Sequence, residues 1–173
     1  MNLILRLIRI VLMSFFRARL DVLGVSVVNF RVWPNDLDFN GHMNNGRYLT
    51  IMDLGRIDLI LRAGLGKYFL TGRWVPIVAS AKLRYRRSLG PFQKYQLHSR
   101  LLCWDDKWFV VEQRFMVDDR SVAIAYIKSL FRERKSNLAP AEILSTLGYT
   151  VPSPPMPESV QLWMESESHI ATD

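Results

Sequence analysis

The sequence predicts an α+β domain in which a curved antiparallel sheet wraps one long, largely buried helix. Three observations predict it. Apolar residues recur at helical spacing from Gly46 to Leu61; four segments after Trp74 read as strands; and Asp105-Asp106-Lys107 and Asp118-Asp119-Arg120 join the later ones as hairpin connections. With 173 residues, 49% of them hydrophobic, the chain can bury one sizeable core but not two ordinary ones.

Residues 1–22 are predicted to be a separate amphipathic helix. At about 100° per residue, Arg6, Arg9 and Arg17 fall within one third of the circumference, and Leu, Ile, Val, Met and Phe fill most of the rest. The uncharged run Ile10 to Phe16 is far shorter than the roughly 20 apolar residues a spanning helix needs. Arg6 and Arg9 also interrupt the apolar stretch a signal peptide requires. Two readings stay open: a helix lying in a membrane interface through residues 1–20, or one packed on the body of the protein or on a partner subunit.

Residues 23–150 are expected to form the single domain. Its first strand, 24–33, is rich in β-branched and aromatic residues and runs into the turn-forming Pro34, Asn35 and Asp36. The long helix follows, with Gly64 and Gly66 as stop signals. Residues 75–86 alternate apolar with basic, and residues 93–104, 108–117 and 121–131 continue the sheet. Strands of about ten residues exceed the usual five or six, as suits a sheet that curves around something. Residues 132–137 are expected to end the sheet in polar chain, and Pro140 to Leu147 to form a short helix begun by proline. Residues 151–173 are a proline-rich connector and a C-terminal segment anchored by Leu162 and Trp163.

Composition removes some functions. The net charge of +7 favours anionic partners without choosing among them. Basic charge here lacks the interleaved aromatics of a nucleic-acid module, so no nucleic-acid partner is expected. Cys103 is the one cysteine and there is no Asn-x-Ser/Thr site, so a reducing, cytoplasmic compartment is the simplest reading, with contact at the membrane periphery through residues 1–20 as a variant of it. His42, His98 and His169 are far apart and no Cys-x-x-Cys accompanies them, so neither metal nor cofactor is expected. Nucleophile-elbow, phosphate-loop, dinucleotide and zinc-protease motifs are absent.

What remains is Trp33-Pro-Asn-Asp-Leu-Asp-Phe-Asn-Gly-His-Met-Asn-Asn-Gly-Arg-Tyr48, which gathers two carboxylates, several amides and an imidazole just before the helix. A helix start offers unpaired N–H groups and the positive end of the dipole, where an oxyanion can be held. The residues alone read more simply as turn and cap: Asn-Gly pairs turning the chain, Asn44 or Asn45 capping the helix, Asp36 and Asp38 solvated.

The motif Trp-x-x-Asp-x-Asp-x-x-Gly-His-x-Asn-Asn-x-x-Tyr resembles the signature of hotdog thioesterases of the 4-hydroxybenzoyl-CoA thioesterase group, and residues 38–45 are similar to a segment of acyl-ACP thioesterases. Leu37-Asp38, His42 to Leu49, Arg86 to Leu89 and Leu101 to Asp106 resemble the thioesterase superfamily member 6 type. The resemblance implies a hotdog fold and hydrolysis of acyl-CoA or acyl-carrier-protein thioesters, the alternative being a hotdog protein that binds acyl thioesters or lipids without hydrolysing them. It implies Asp38 as general base or nucleophile, the N–H of Asn45 or Gly46 as oxyanion donor, Asn40 and His42 as orienting groups, and Asp36 as a supporting turn residue. Another branch of such enzymes carries its acid within the central helix, where this chain has only Asp53 and Asp58. The resemblance also implies a homodimer or larger homo-oligomer with sites between subunits. Lys82, Arg84, Arg86 and Arg87 form a basic stripe suited to CoA phosphates or an acidic carrier protein, or simply to a solvated sheet edge.

Overall fold

A computed structural model describes residues 2–170. Helix α1 (Leu3–Phe16) precedes strand β1 (Ser26–Arg31), a 3-10 turn at Pro34–Asp36, and helix α2 (Asn45–Ile60). A π turn at Leu61–Leu65 and the short α3 (Gly66–Leu70) lead into β2 (Val75–Tyr85), β3 (Lys94–Trp104), β4 (Phe109–Val117), β5 (Arg120–Glu133) and β6 (Ser136–Leu138). Helices α4 (Pro140–Thr146) and α5 (Glu158–Ser168) complete the described chain.

The strands form one antiparallel sheet in the order β1-β3-β4-β5-β2, with β6 paired to β5. Asp118 and Asp119 turn the β4–β5 hairpin with φ of 46° and 59°. Positive φ at both central residues gives a turn whose twist matches that of the flanking strands. At the β3–β4 turn, Asp105 Oδ1 accepts from the N–H groups of Lys107 and Trp108.

Helix α2 buries Tyr48, Ile51, Met52, Leu54 and Leu59 against Leu97, Phe115, Ala123, Ala125 and Ile127 of the sheet. Each large apolar side chain so buried is worth about 1.5–3 kcal/mol. Helix and sheet meet tightly at Gly55, where a Cβ would stand 2.5 Å from Leu97 Cδ2 and 2.7 Å from Ser99 Oγ. Only a residue without a side chain lets helix and sheet meet there.

Several expectations are corrected. Gly64 and Gly66 do not stop the helical path: Gly64, at φ 92°, kinks it, and Gly66 opens α3. Residues 132–137 are not a polar exit from the sheet, because β5 runs to Glu133 and turns back as β6. At the C-terminus Trp163 is an anchor, packed with Val160 on Cys103 and Val110, whereas Leu162 is 58% exposed.

Helix α1 packs on the body of the protein, one of the two readings left open, but with an unusual face inward. The ordinary arrangement turns charges to water, but this helix buries Arg6, Ile10 and Ser14 and exposes Ile4, Leu5, Ile8, Leu12, Phe15 and Phe16. Arg6 is tied to Asp36 at 2.5 Å, and Arg17 to Asp58 of α2 at 3.0 Å. No helix among the described residues is long and apolar enough to cross a membrane.

Candidate active site

The loop between β1 and α2 is held at both ends. The N–H of Met43 donates to the carbonyl of Leu89 at 2.8 Å, and the N–H of Asn44 to the carbonyl of Asp36 at 2.8 Å. Asn44 is the N-cap of α2, its Oδ1 accepting from the Gly46 N–H at 2.9 Å. Asp36 is fully buried. Its carboxylate takes the Trp33 N–H at 2.9 Å and ion pairs from Arg6 and from Arg47 at 3.2 Å. A buried carboxylate persists when charged donors surround it in this way. Asp36 is thus a hub that locks the loop, not a solvated turn residue.

Asp38 is half-buried. Its backbone N–H donates to the His42 carbonyl at 2.8 Å, and its Oδ1 accepts the N–H groups of Asn40 at 2.9 Å and His42 at 3.3 Å. Gly41, at φ 74°, makes the reversal that brings those donors round. Oδ2 has no partner among the described residues. The carboxylate is therefore oriented by backbone while one oxygen stays available. The side chains of Asn40 and His42 are exposed and make no polar contact among the described residues.

The two donors named from sequence are separated by the structure. Gly46 N–H is engaged with Asn44, whereas the Asn45 N–H, at the first residue of α2, meets no acceptor among the described residues. Tyr85 Oη donates to the carbonyl of Asn45 at 2.9 Å, bringing the end of β2 to the helix start. Tyr85 also packs edge-on against Tyr48, whose hydroxyl burial pushes up to about 12. Lys82 and Arg84 are exposed on β2, while Arg86 and Arg87 lie past its end, their N–H groups bonded to the Val122 carbonyl. The stripe is thus half strand and half turn.

Beside α2 lies an apolar pocket of about 280 Å³, walled by Ile57, Ile60, Val111, Phe131, Ile143 and Leu147 among others. At its rim stand Asp53, 61% exposed, and Arg56, which are ion-paired. Arg56 Nη1 also donates to Gln113 Oε1 at 2.7 Å, and the fully buried Gln113 donates in turn to Ser99 Oγ and the Met52 carbonyl. Asp38 does not line this pocket, nor the larger groove of about 800 Å³ between α1 and β1.

Sequence reasoning missed Arg6, Tyr85 and the Arg56–Gln113 pair. Arg47 sits within the motif and its charge was a signal for a carboxylate partner. Arg6 lies 30 residues from Asp36, and nothing local announces that contact. Cys103 is buried, and burial first, then Asp105, pushes its thiol up to about 11. That is an inert core cysteine.

This helix-and-curled-sheet arrangement is that of a hotdog-fold thioesterase domain. The chain belongs to the thioesterase-like superfamily, whose family model matches residues 32–164. Among its relatives, Protein THEM6 of Xenopus laevis is 37% identical over 135 residues, covering 78% of this chain and 64% of that protein. Protein THEM6 of Danio rerio is 35% identical over 145 residues, covering 83% and 71%. The chain thus spans about two thirds of the length of these relatives. Among solved structures, the probable thioesterase YbaW from Escherichia coli superposes with a TM-score of 0.64 at 21% identity, over 70% of this chain and 95% of that one. A gentisyl-coenzyme A thioesterase superposes at 0.61 and 19% identity, over 68% and 98%. Likeness at that identity shows the fold.

Proposed function

We propose that the protein hydrolyses acyl thioesters, of CoA or of an acyl carrier protein, to the free acid and thiol. The observation that carries this reading is an oriented, half-buried carboxylate at Asp38 followed, seven residues on at the start of α2, by the Asn45 N–H, unpartnered among the described residues. A thioester carbonyl oxygen takes the Asn45 N–H and gains negative charge as its carbon is attacked. Asp38 Oδ2 either removes the proton of the attacking water or attacks the carbon itself, in which case water then cleaves the resulting anhydride. The thiolate leaves and is protonated. Asn40 and His42, free on the loop, orient substrate or water. Gly46 is withdrawn as a donor by its bond to Asn44.

The apolar pocket beside α2 supports an acyl or aryl tail as cargo. At about 280 Å³ it lies near the lower bound of common ligand sites, roughly 300 Å³. The exposed Lys82, Arg84, Arg86 and Arg87 supply charge for CoA phosphates or an acidic carrier.

We infer a homo-oligomer as the working form. Strand β2 is an open edge 11 residues long with Val75 and Val78 exposed, and Phe39, next to Asp38, is 98% exposed. A second copy would cover both. Peripheral contact with a membrane through residues 1–20 belongs to the same reading, since the apolar face of α1 points outward.

The test is thiol release from short, aromatic and long acyl-CoAs by the wild type and Asp38→Asn. Turnover that disappears with Asp38 supports hydrolysis. Tight acyl-CoA binding without turnover, with an acyl carrier protein ester equally inert, means a binding protein instead.

A further inference from the structure

Helix α1 carries an unusual surface. Placed at about 100° per residue, Ile4, Phe15, Ile8, Leu12, Leu5 and Phe16 fall in that order within about 120° of arc. All six face outward, between 50% and 86% exposed. An ordinary soluble helix reverses this, hiding the apolar arc and showing its arginines. The next side chain round the circumference is Arg9, exposed and without a carboxylate partner among the described residues. Arg19 is exposed just beyond the helix end. There is no acidic residue before Asp21.

These charges choose the occupant. Two copies of the face packed together would bring Arg9 near its like, with no carboxylate on α1 to offset it. A single apolar ridge bordered by cations, too short to span, fits the headgroup boundary of a bilayer containing anionic lipid.

The other side of the helix reaches the candidate site. Arg6 is 1% exposed and uses one nitrogen, Nη2, to hold Asp36, while Nε and Nη1 have no partner among the described residues. Asp36 in turn fixes Trp33 and the N-cap Asn44, and Asp38 is two residues further on. Arg17 secures the far end of α1 on Asp58, which also holds Ser26 Oγ and Arg62. Movement of α1 is therefore movement of the contact that locks the Asp38 loop.

We propose that α1 docks on anionic lipid surfaces through its outward arc, and that the Arg6–Asp36 pair transmits docking to the Asp38 loop, so that turnover rises at the surface. Arg6 is a positioning residue in this scheme. The regulatory half rests on Asp38 acting as proposed above; the binding half does not. Coupling is reciprocal, so a loop held in its working geometry also favours docking.

The experiment uses the full chain with vesicles of phosphatidylcholine alone or mixed with phosphatidylglycerol. Flotation reads binding, and kcat on a short-chain acyl-CoA, with and without vesicles, reads coupling as a ratio within each variant. The wild type is expected to float with the anionic vesicles and to lose binding as salt rises, with a kcat ratio of several-fold. Leu12→Ser/Phe16→Ser keeps the wild-type thermal midpoint and loses about tenfold or more of the vesicle binding, having given up two apolar anchors. Arg6→Met still floats, but its kcat ratio falls to about one, and Arg6→Lys recovers part of it. If Arg6→Met does not fold, the Arg6→Lys ratio, expected between the other two, decides alone. Absence of flotation overturns the proposal. So does an oligomer that Leu12→Ser/Phe16→Ser breaks into monomers, which would make a second copy the occupant. An Arg6 variant with the full wild-type ratio overturns the coupling. Flotation without any hydrolysis leaves docking standing and removes the hydrolytic reading.

Discussion

Helices α1 and α2 are both apolar segments studded with arginine, yet the protein uses them in opposite senses. Helix α2 turns Tyr48, Ile51, Met52, Leu54 and Leu59 into the sheet. Helix α1 turns Arg6 inward and leaves Leu12 and Phe16 outside. The difference lies in what each inward face meets. The sheet offers α2 apolar side chains and a slot at Gly55, whereas the body offers α1 two buried carboxylates, Asp36 and Asp58, which pair with Arg6 and Arg17. A periodic pattern defines faces; the partner decides which face goes in.

The sharpest way to break the comparison is to remove α1's inward charge. Arg6→Met leaves Asp36 buried with Arg47 as its remaining cation, and removing one member of a buried pair typically costs about 3–5 kcal/mol. A fall of that size in denaturant-derived stability is expected, with Arg6→Met/Asp36→Asn costing less than the sum. A double variant at or beyond the sum would mean that the pair does not act as one unit.

On the α2 side, Gly55→Ala forces a Cβ against Leu97 and Ser99, and overpacking of this kind costs about 1–3 kcal/mol. Chemical denaturation checks it; an unchanged midpoint would show that helix and sheet separate easily there. Single substitutions on the outer arc of α1, such as Leu12→Ser, are expected to stay within about 0.5 kcal/mol of wild type. A larger loss in the isolated protein would show that the arc is covered. Smallest of all, Cys103 is expected to resist a thiol reagent at pH 8 until unfolding, its thiol standing near 11. Prompt labelling of the folded protein would contradict its burial beneath Val160 and Trp163.

Much of the fold was legible because its signals are local and repeated. Alternation along Val75–Tyr85, the acidic turns that bound Phe109–Val117 and helical spacing from Asn45 to Ile60 each survive a shift of a residue or two at the ends. The β5–β6 turn was missed because Arg-Glu-Arg-Lys reads as solvated chain, and polar residues can still carry a hairpin's backbone bonds when their side chains face water. Gly64 was misread as a stop because glycine marks a positive φ without saying whether helix resumes beyond it.

The candidate site was legible in part. Asp38 and the start of α2 stand out because acidic, amide and glycine residues cluster just before an apolar period. The roles of Asp36 and Tyr85 were not legible, since each depends on a residue brought from another element, Arg6 in one case and Asn45 in the other. Nor could spacing separate Asn45 from Gly46 as donor; that depends on where the Asn44 side chain turns.

Two carboxylates now compete for the chemistry: Asp38, oriented by backbone on the loop before α2, and Asp53, at the rim of the apolar pocket but paired with Arg56. The most direct test is thiol release by Asp38→Asn and Asp53→Asn measured side by side on the best substrate. Loss of a catalytic acid–base group costs about 10²–10⁴-fold. The account predicts a loss in that range for Asp38→Asn and turnover within about tenfold of wild type for Asp53→Asn. The reverse, with Asp53→Asn silent and Asp38→Asn active, would contradict it and move the chemistry to the pocket rim.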